Sequence, residues 1–234
     1  MRCTRCGREA AETDKFCAEC GMFLRDAWTD QRFQAALNLE RDGRCQEARH
    51  ELERLVELKP DSALAWHCLG TVHFHQGTLN RAIDCYRASV ELAPKFLLCW
   101  YDLGVAYYHR GNMPASIAAY RRCLEIDKHY NAAHYRLGIA LFHAGDLEGA
   151  REQFESCTAL TPEYLLARYH VGVIRERQGD LAAAEREFRS NMDEGVGEVS
   201  SLYHLAQIHR ARGDEKGAAA LLERAQQFGR KASA

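Results

Sequence analysis

Residues 97–130 read LLCWYDLGVAYYHRGNMPASIAAYRRCLEIDKHY, and the architecture follows from this stretch. Trp100, Leu103 and Tyr107 recur at helical three-and-four spacing, so their side chains share one face. Gly104 beside them leaves room for a neighbouring helix to approach. Gly111 ends this helix, because glycine adopts the left-handed conformation of a helix terminus without a Cβ penalty. Asn112 follows, with a side chain able to accept from the free N–H groups that open a second helix, and Pro114 suits that helix's first turn. Ser116, Tyr120 and Cys123 then form a second buried stripe. The stretch predicts a helix, a tight turn and another helix.

The same pattern recurs along the chain. Gly43, Gly77, Gly111, Gly145, Gly179 and Gly213 are each 34 residues apart, as are Ala36, Gly70, Gly104, Gly138, Gly172 and Ala206. A third series, Ala48, Ala82, Ser116, Ala150, Ala184 and Ala218, keeps the interval, and Leu52, Tyr86, Tyr120, Phe154, Phe188 and Leu222 stand four residues after it. Pro60, Pro94 and Pro162 close several units. A period of this length is the signature of stacked helical hairpins, since no single hairpin can bury its own apolar face.

These residues resemble the tetratricopeptide repeat (TPR), whose 34-residue pattern runs Trp, Leu-Gly, Tyr, Gly, Ala, aromatic, Pro. The match is clearest in 63–96 (Trp66, Leu69, Gly70, Gly77, Ala82, Tyr86, Pro94) and in 97–130. Six units follow, at 29–62, 63–96, 97–130, 131–164, 165–198 and 199–232. Arg32 and Arg168 replace the pattern's Trp, Lys128 replaces a Pro, and DEGVGE at 193–198 predicts a longer or frayed turn. The resemblance implies an all-α fold, a right-handed superhelix of six helix-turn-helix repeats with first helices lining a concave groove.

The N-terminal module, residues 1–28, carries a different signal. Cys3 and Cys6 are followed by Cys17 and Cys20, with Gly7 and Gly21 after each pair. Two residues between cysteines let a turn aim both thiolates at one ion, and four thiolates make the closed tetrahedral shell of structural zinc. So small a module buries too little surface to fold alone, whereas zinc binding to finger peptides contributes about 10–16 kcal/mol, so its folding is expected to need the metal. An iron site with the same four ligands remains open. A redox dithiol is disfavoured because no βαβ pattern accompanies the pairs. The stretch resembles the short zinc ribbon, although Thr4 and Ala18 stand where that family often has Pro. Met22, Phe23, Leu24 and Trp28 could pack such a ribbon onto the end of the helical rod.

By analogy with the TPR family, three columns at the 34-residue step face the groove. The first is Phe33, His67, Tyr101, Tyr135, Tyr169 and Tyr203. The second includes Val105, Ile139 and Val173, and the third Phe74, Tyr108 and Phe142. An aromatic and apolar strip of this kind suits a protein or peptide partner, while packing between neighbouring helices competes for the same side chains. Members that clamp a terminal carboxylate carry Asn where Val105, Ile139 and Val173 stand, so no such clamp is expected here. His75, His109 and His143 also share the period. Ligands of one ion lie about 2 Å from it, whereas stacked repeats set equivalent residues about 10 Å apart, so these histidines cannot share a metal.

Composition narrows the function further. Lys and Arg total 31 against 33 for Asp and Glu, and within residues 1–28 the signs balance at five each, which disfavours a polyanion binder. The alternative, an RNA- or ribosome-associated factor acting through Arg2, Arg5 and Arg8 of the ribbon, gains nothing from charge. No signal segment or apolar run of membrane length is present, which predicts a cytoplasmic protein without membrane contact. The six cysteines outside the pairs (Cys45, Cys68, Cys85, Cys99, Cys123, Cys157) read as reduced thiols. No nucleophile motif, phosphate loop or paired carboxylate stands out, so the expected function is a non-enzymatic scaffold. Leu221, Leu222, Ala225 and Phe228 on the last helix, with no polar helix after them, would permit a homo-oligomer.

Overall fold

The structure is a computed structural model that describes residues 9, 31–193 and 198–231. Within 31–193 and 198–231 every element of regular structure is a helix: α1 (Gln31–Arg41), α2 (Cys45–Leu58), α3 (Ala63–His75), α4 (Leu79–Leu92), α5 (Leu97–His109), α6 (Met113–Ile126), α7 (Asn131–Ala144), α8 (Leu147–Leu160), α9 (Leu165–Arg177), α10 (Leu181–Asp193), α11 (Glu198–Ala211) and α12 (Glu215–Lys231). Two compact units result, one ending at Ala140 and the other starting at Leu141, with the boundary inside α7. The turn expected at 193–198 falls mostly outside the described residues, as do the four paired cysteines.

The turn between α5 and α6 is built as its residues require. Gly111 has φ 79°, its N–H bonds Tyr108 O at 2.9 Å, and the N–H of Asn112 reaches back to Tyr107 O at 2.9 Å. These bonds satisfy carbonyls left over at the end of α5. The Asn112 side chain then accepts from Ala115 N at 3.2 Å, so one residue closes one helix with its amide and opens the next with its carboxamide. Asp146, Asp180 and Asp214 repeat the capping bond to Gly149, Ala183 and Gly217 at 2.9, 3.0 and 2.8 Å. Thr78 caps nothing, because its hydroxyl donates instead to His73 O at 3.0 Å.

In the first unit, second helices press a large ring onto the small residue of the first helix. Tyr120, 1% exposed, lies so close to α5 that a Cβ built on Gly104 would stand 2.6 Å from its ring. Tyr86 stands in the same relation to Gly70. Ser116 and Ser89, both fully buried, donate to Gly104 O at 2.8 Å and Ala63 O at 2.7 Å, which satisfies polar atoms that would otherwise be costly to bury. The second unit repeats the device with Phe188 against Gly172. There Phe188, Leu205 and Ile208 form a core that receives Leu221 from α12. Ala218 and Ala225 of α12 are buried, Leu222 and Phe228 are half-buried, and the Arg224 guanidinium covers the Phe228 ring at 5.6 Å. The face proposed for self-association is thus partly covered by the chain itself.

Candidate partner-binding face

In the first unit, α1, α3, α5 and the start of α7 carry the first column. Phe33 does not belong to a binding face: it is 2% exposed and packs in the core with Ala48 and Leu52. Phenylalanine has no polar tip to hold it at the surface, so burial prevails. His67 and Tyr101 are half-buried, and their polar ends are already used. His67 Nε2 lies 2.7 Å from Asp102 Oδ2, while its ring meets Phe96 edge-on at 4.8 Å. Arg136 Nε donates to the Tyr101 hydroxyl at 3.3 Å. Tyr135 is also half-buried. The column therefore ties α3 to α5 and α5 to α7.

Val105, Ile139, Phe74 and Tyr108 are half-exposed on the same helices. They are apolar or amphipathic, and none of the ties just described uses them. His109 stacks edge-on against Phe74 at 5.5 Å and Tyr108 at 5.8 Å, and His75 lies 3.4 Å from Glu40. These histidines border the apolar strip. Among the described residues no group of three or more His, Cys, Asp or Glu is arranged to hold a metal ion.

The second unit has its own version. Tyr169 and His204 share a hydrogen bond of 3.0 Å, and His204 Nδ1 donates to the Glu176 carboxylate at 2.6 Å. Burial, followed by the Glu176 charge, raises the Tyr169 pKa, which keeps its hydroxyl protonated and able to donate to the histidine. The His204 ring also stacks on Phe188 at 4.8 Å. Phe142 and Val173 are half-exposed and Tyr203 is 46% exposed. The Arg177 guanidinium sits 4.5 Å over Phe142. Asp102, Arg136 and His204 escaped the reading of the sequence. Their signal is the same 34-residue step, displaced by one position from the first column, so that every tie spans 35 residues.

The thiols are chemically quiet. Burial pushes Cys68 and Cys85 up to about 12, and Cys99 and Cys123 higher still. They remain thiols that donate weakly to carbonyls, as Cys99 does to Tyr86 O at 3.4 Å.

Profiles of the tetratricopeptide repeat match residues 33–96, 98–130, 132–164 and 199–224. The chain belongs to the tetratricopeptide repeat family. Comparison with curated proteins finds no match. Solved TPR-like structures agree in fold at low identity. A MamA structure is 22% identical with a TM-score of 0.66, covering 68% of this chain and 93% of its own. YrrB, described as a TPR protein with an unusual peptide-binding site, is 19% identical with a TM-score of 0.67, covering 73% and 88%. PilF of Pseudomonas aeruginosa is 18% identical with a TM-score of 0.68, covering 86% and 96%.

Departures from the TPR pattern become intelligible in the geometry. Trp66 and Trp100 donate their indole N–H to Pro60 O and Pro94 O, six residues earlier, at 2.9 and 2.8 Å. His134 Nε2 bonds Lys128 O at 2.9 Å, and Arg168 Nη2 donates to Pro162 O at 3.1 Å. In four of the repeats a ring- or fork-borne N–H makes this bond, and three residue types supply it, whereas the same position of the last unit is the buried Leu202. No helix among the described residues is long and apolar enough to cross a membrane.

Proposed function

We propose that this TPR chain is a binding scaffold that holds a protein or peptide segment against the first helices of its repeats. One observation carries the reading: after the polar ends of His67, Tyr101 and Tyr169 are tied between helices, Val105, Ile139, Phe74 and Tyr108 of the first unit remain half-exposed in register. Phe142, Val173 and Tyr203 offer a similar surface in the second unit. Aromatic and aliphatic groups on a rigid scaffold are the usual anchors for a partner. The description of YrrB as peptide-binding supports the reading by analogy of fold. Affinity capture from the native cell, followed by titration of the identified partner, tests it. Val105→Asp together with Tyr108→Ala is expected to weaken binding by about tenfold or more with the thermal midpoint unchanged. Unaltered affinity in that variant would remove the first-helix face from consideration.

We further propose that Cys3, Cys6, Cys17 and Cys20 share one zinc ion. The support is the donor set: four soft thiolates in two knuckles suit a closed structural site. Elemental analysis of the purified chain is expected to find about one equivalent of zinc, and Cys3→Ser with Cys17→Ser to lose it. Iron in its place would reassign the metal, and retention of zinc by the double variant would reject these ligands.

A further inference from the structure

A second surface lies on the other side of the same helices, within the first unit. Between α4 and α6, above α5, two hollows of about 680 and 370 Å³ run together, sharing Arg87 and Tyr107 in their walls. The smaller has an apolar floor of Val90, Leu103, Ala115 and Ala119, with room for a leucine- or phenylalanine-sized side chain. The larger is bordered by Arg110 and the turn at Gly111 and Asn112. A third hollow, lined by Arg81 and again by Arg110, continues it towards the start of α4.

The charge here opposes that of the chain. Net charge is −2 overall, yet the connected hollows are lined by Arg81, Arg87, Arg110 and Arg122 against only Asp84 and Glu91. Arg122 pairs with Glu125 and lies 5.7 Å over the Trp100 ring. The side chains of Arg81, Arg87 and Arg110 line the hollows and make no ion pair or hydrogen bond among the described residues, so their guanidinium donors are unspent. A basic rim around an apolar floor fits a ligand that is negative and apolar at once. We propose that α4, α5 and α6 bind an acidic peptide segment carrying one large apolar side chain, seated over Leu103 with its carboxylates on Arg87 and Arg110.

The alternative of single-stranded nucleic acid fits less well. Such binding relies on free aromatic faces for base stacking, whereas the Trp100 face is covered by Arg122, its N–H is held by Pro94 O, and Tyr107 is half-buried against the core.

The test uses the full chain and a fluorescein-labelled peptide, Asp-Glu-Glu-Leu-Phe-Glu-Asp-Asp, followed by fluorescence anisotropy. A lysine-for-acid version of the peptide and an oligouridine serve as comparison probes. Saturable, salt-sensitive binding of the acidic peptide alone is expected, weakened about tenfold or more by Arg87→Glu with Arg110→Glu. Ala118→Trp, an exposed position beside the apolar floor, should block the smaller hollow and abolish binding, whereas Val105→Asp on the first-helix face should leave it intact. Circular dichroism confirms that each variant is folded, and the milder Arg87→Gln with Arg110→Gln replaces any that is not. No saturable binding, equal binding by the arginine or Ala118→Trp variants, loss through Val105→Asp instead, or preference for oligouridine would each overturn the proposal. The last-named variant separates this site from the scaffold face.

Discussion

Tyr120→Ala is expected to lower the unfolding free energy by about 3–5 kcal/mol, because a ring that is 1% exposed would leave a cavity between α5 and α6. The ring rests against the bare backbone of Gly104 and faces Tyr101 at a centroid distance of 5.9 Å. Leu103, Cys99 and Cys123 are themselves packed in the core, and Tyr101 is held by Arg136, so little is free to fill the space. The reverse error is costly as well. Gly104→Val would push a Cβ to within 2.6 Å of that ring, and overpacking of this kind costs about 1–3 kcal/mol. The two errors are complementary in shape, so Gly104→Leu in the Tyr120→Ala background should recover part of the loss. Urea denaturation of the wild type, Tyr120→Ala, Gly104→Leu and the double variant measures the coupling, and strict additivity, or a Tyr120→Ala cost under about 1 kcal/mol, would refute the packing account.

The second large effect concerns pH. His170 stacks flat on Phe154, centroids 4.9 Å apart, and burial followed by the charge of His143 pushes its pKa down from 6.5 to about 4. A histidine depressed in the folded state takes up its proton more readily when unfolded. Stability is therefore complete above pH 6.5, declines as pH falls, and has lost this contribution entirely below about 4. The loss over that window is about 2–3 kcal/mol. Burial also lowers the pKa of His73 in the first unit, which acts in the same direction. Glu148, Glu185 and Asp214 are held below their usual ranges by Arg151, Arg212 and the Gly217 amide, so their contributions fade only at lower pH. His170→Phe keeps the stacked ring and removes the proton. Chemical denaturation between pH 7 and 4 should show a shallower decline for this variant, and an unchanged slope would mean that His170 is not the responsible group.

What could be read from the chain was whatever depends on near neighbours in sequence. Gly111 and Asn112 announce the turn because the three bonds that define it all close within five residues. The buried rings follow from helical spacing alone. The binding face was legible as columns but not as roles. Whether Tyr101 is free or engaged depends on Arg136, on a different helix, and Phe33 occupies a column position yet lies in the core. Arg168 illustrates a further limit. It departs from the pattern's tryptophan, and the matched profiles stop at 164 and resume at 199, yet α9 and α10 form the same hairpin with the same bond to a proline carbonyl. Residue type is what a pattern reads, whereas the fold accepts any donor of suitable reach here, and in the last unit the apolar Leu202.

The 35-residue ties also carry information about order. Excising 97–130 would preserve the periodicity, every turn and every buried ring, yet it would set the Arg136 guanidinium where His67 now meets the Asp102 carboxylate. His67 would lose its carboxylate acceptor and meet the guanidinium only by turning an unprotonated Nε2 towards it. The hairpins are alike as shapes but not interchangeable as neighbours: those of His67, Tyr101 and Tyr169 carry on one edge a chemical key cut for the unit that follows.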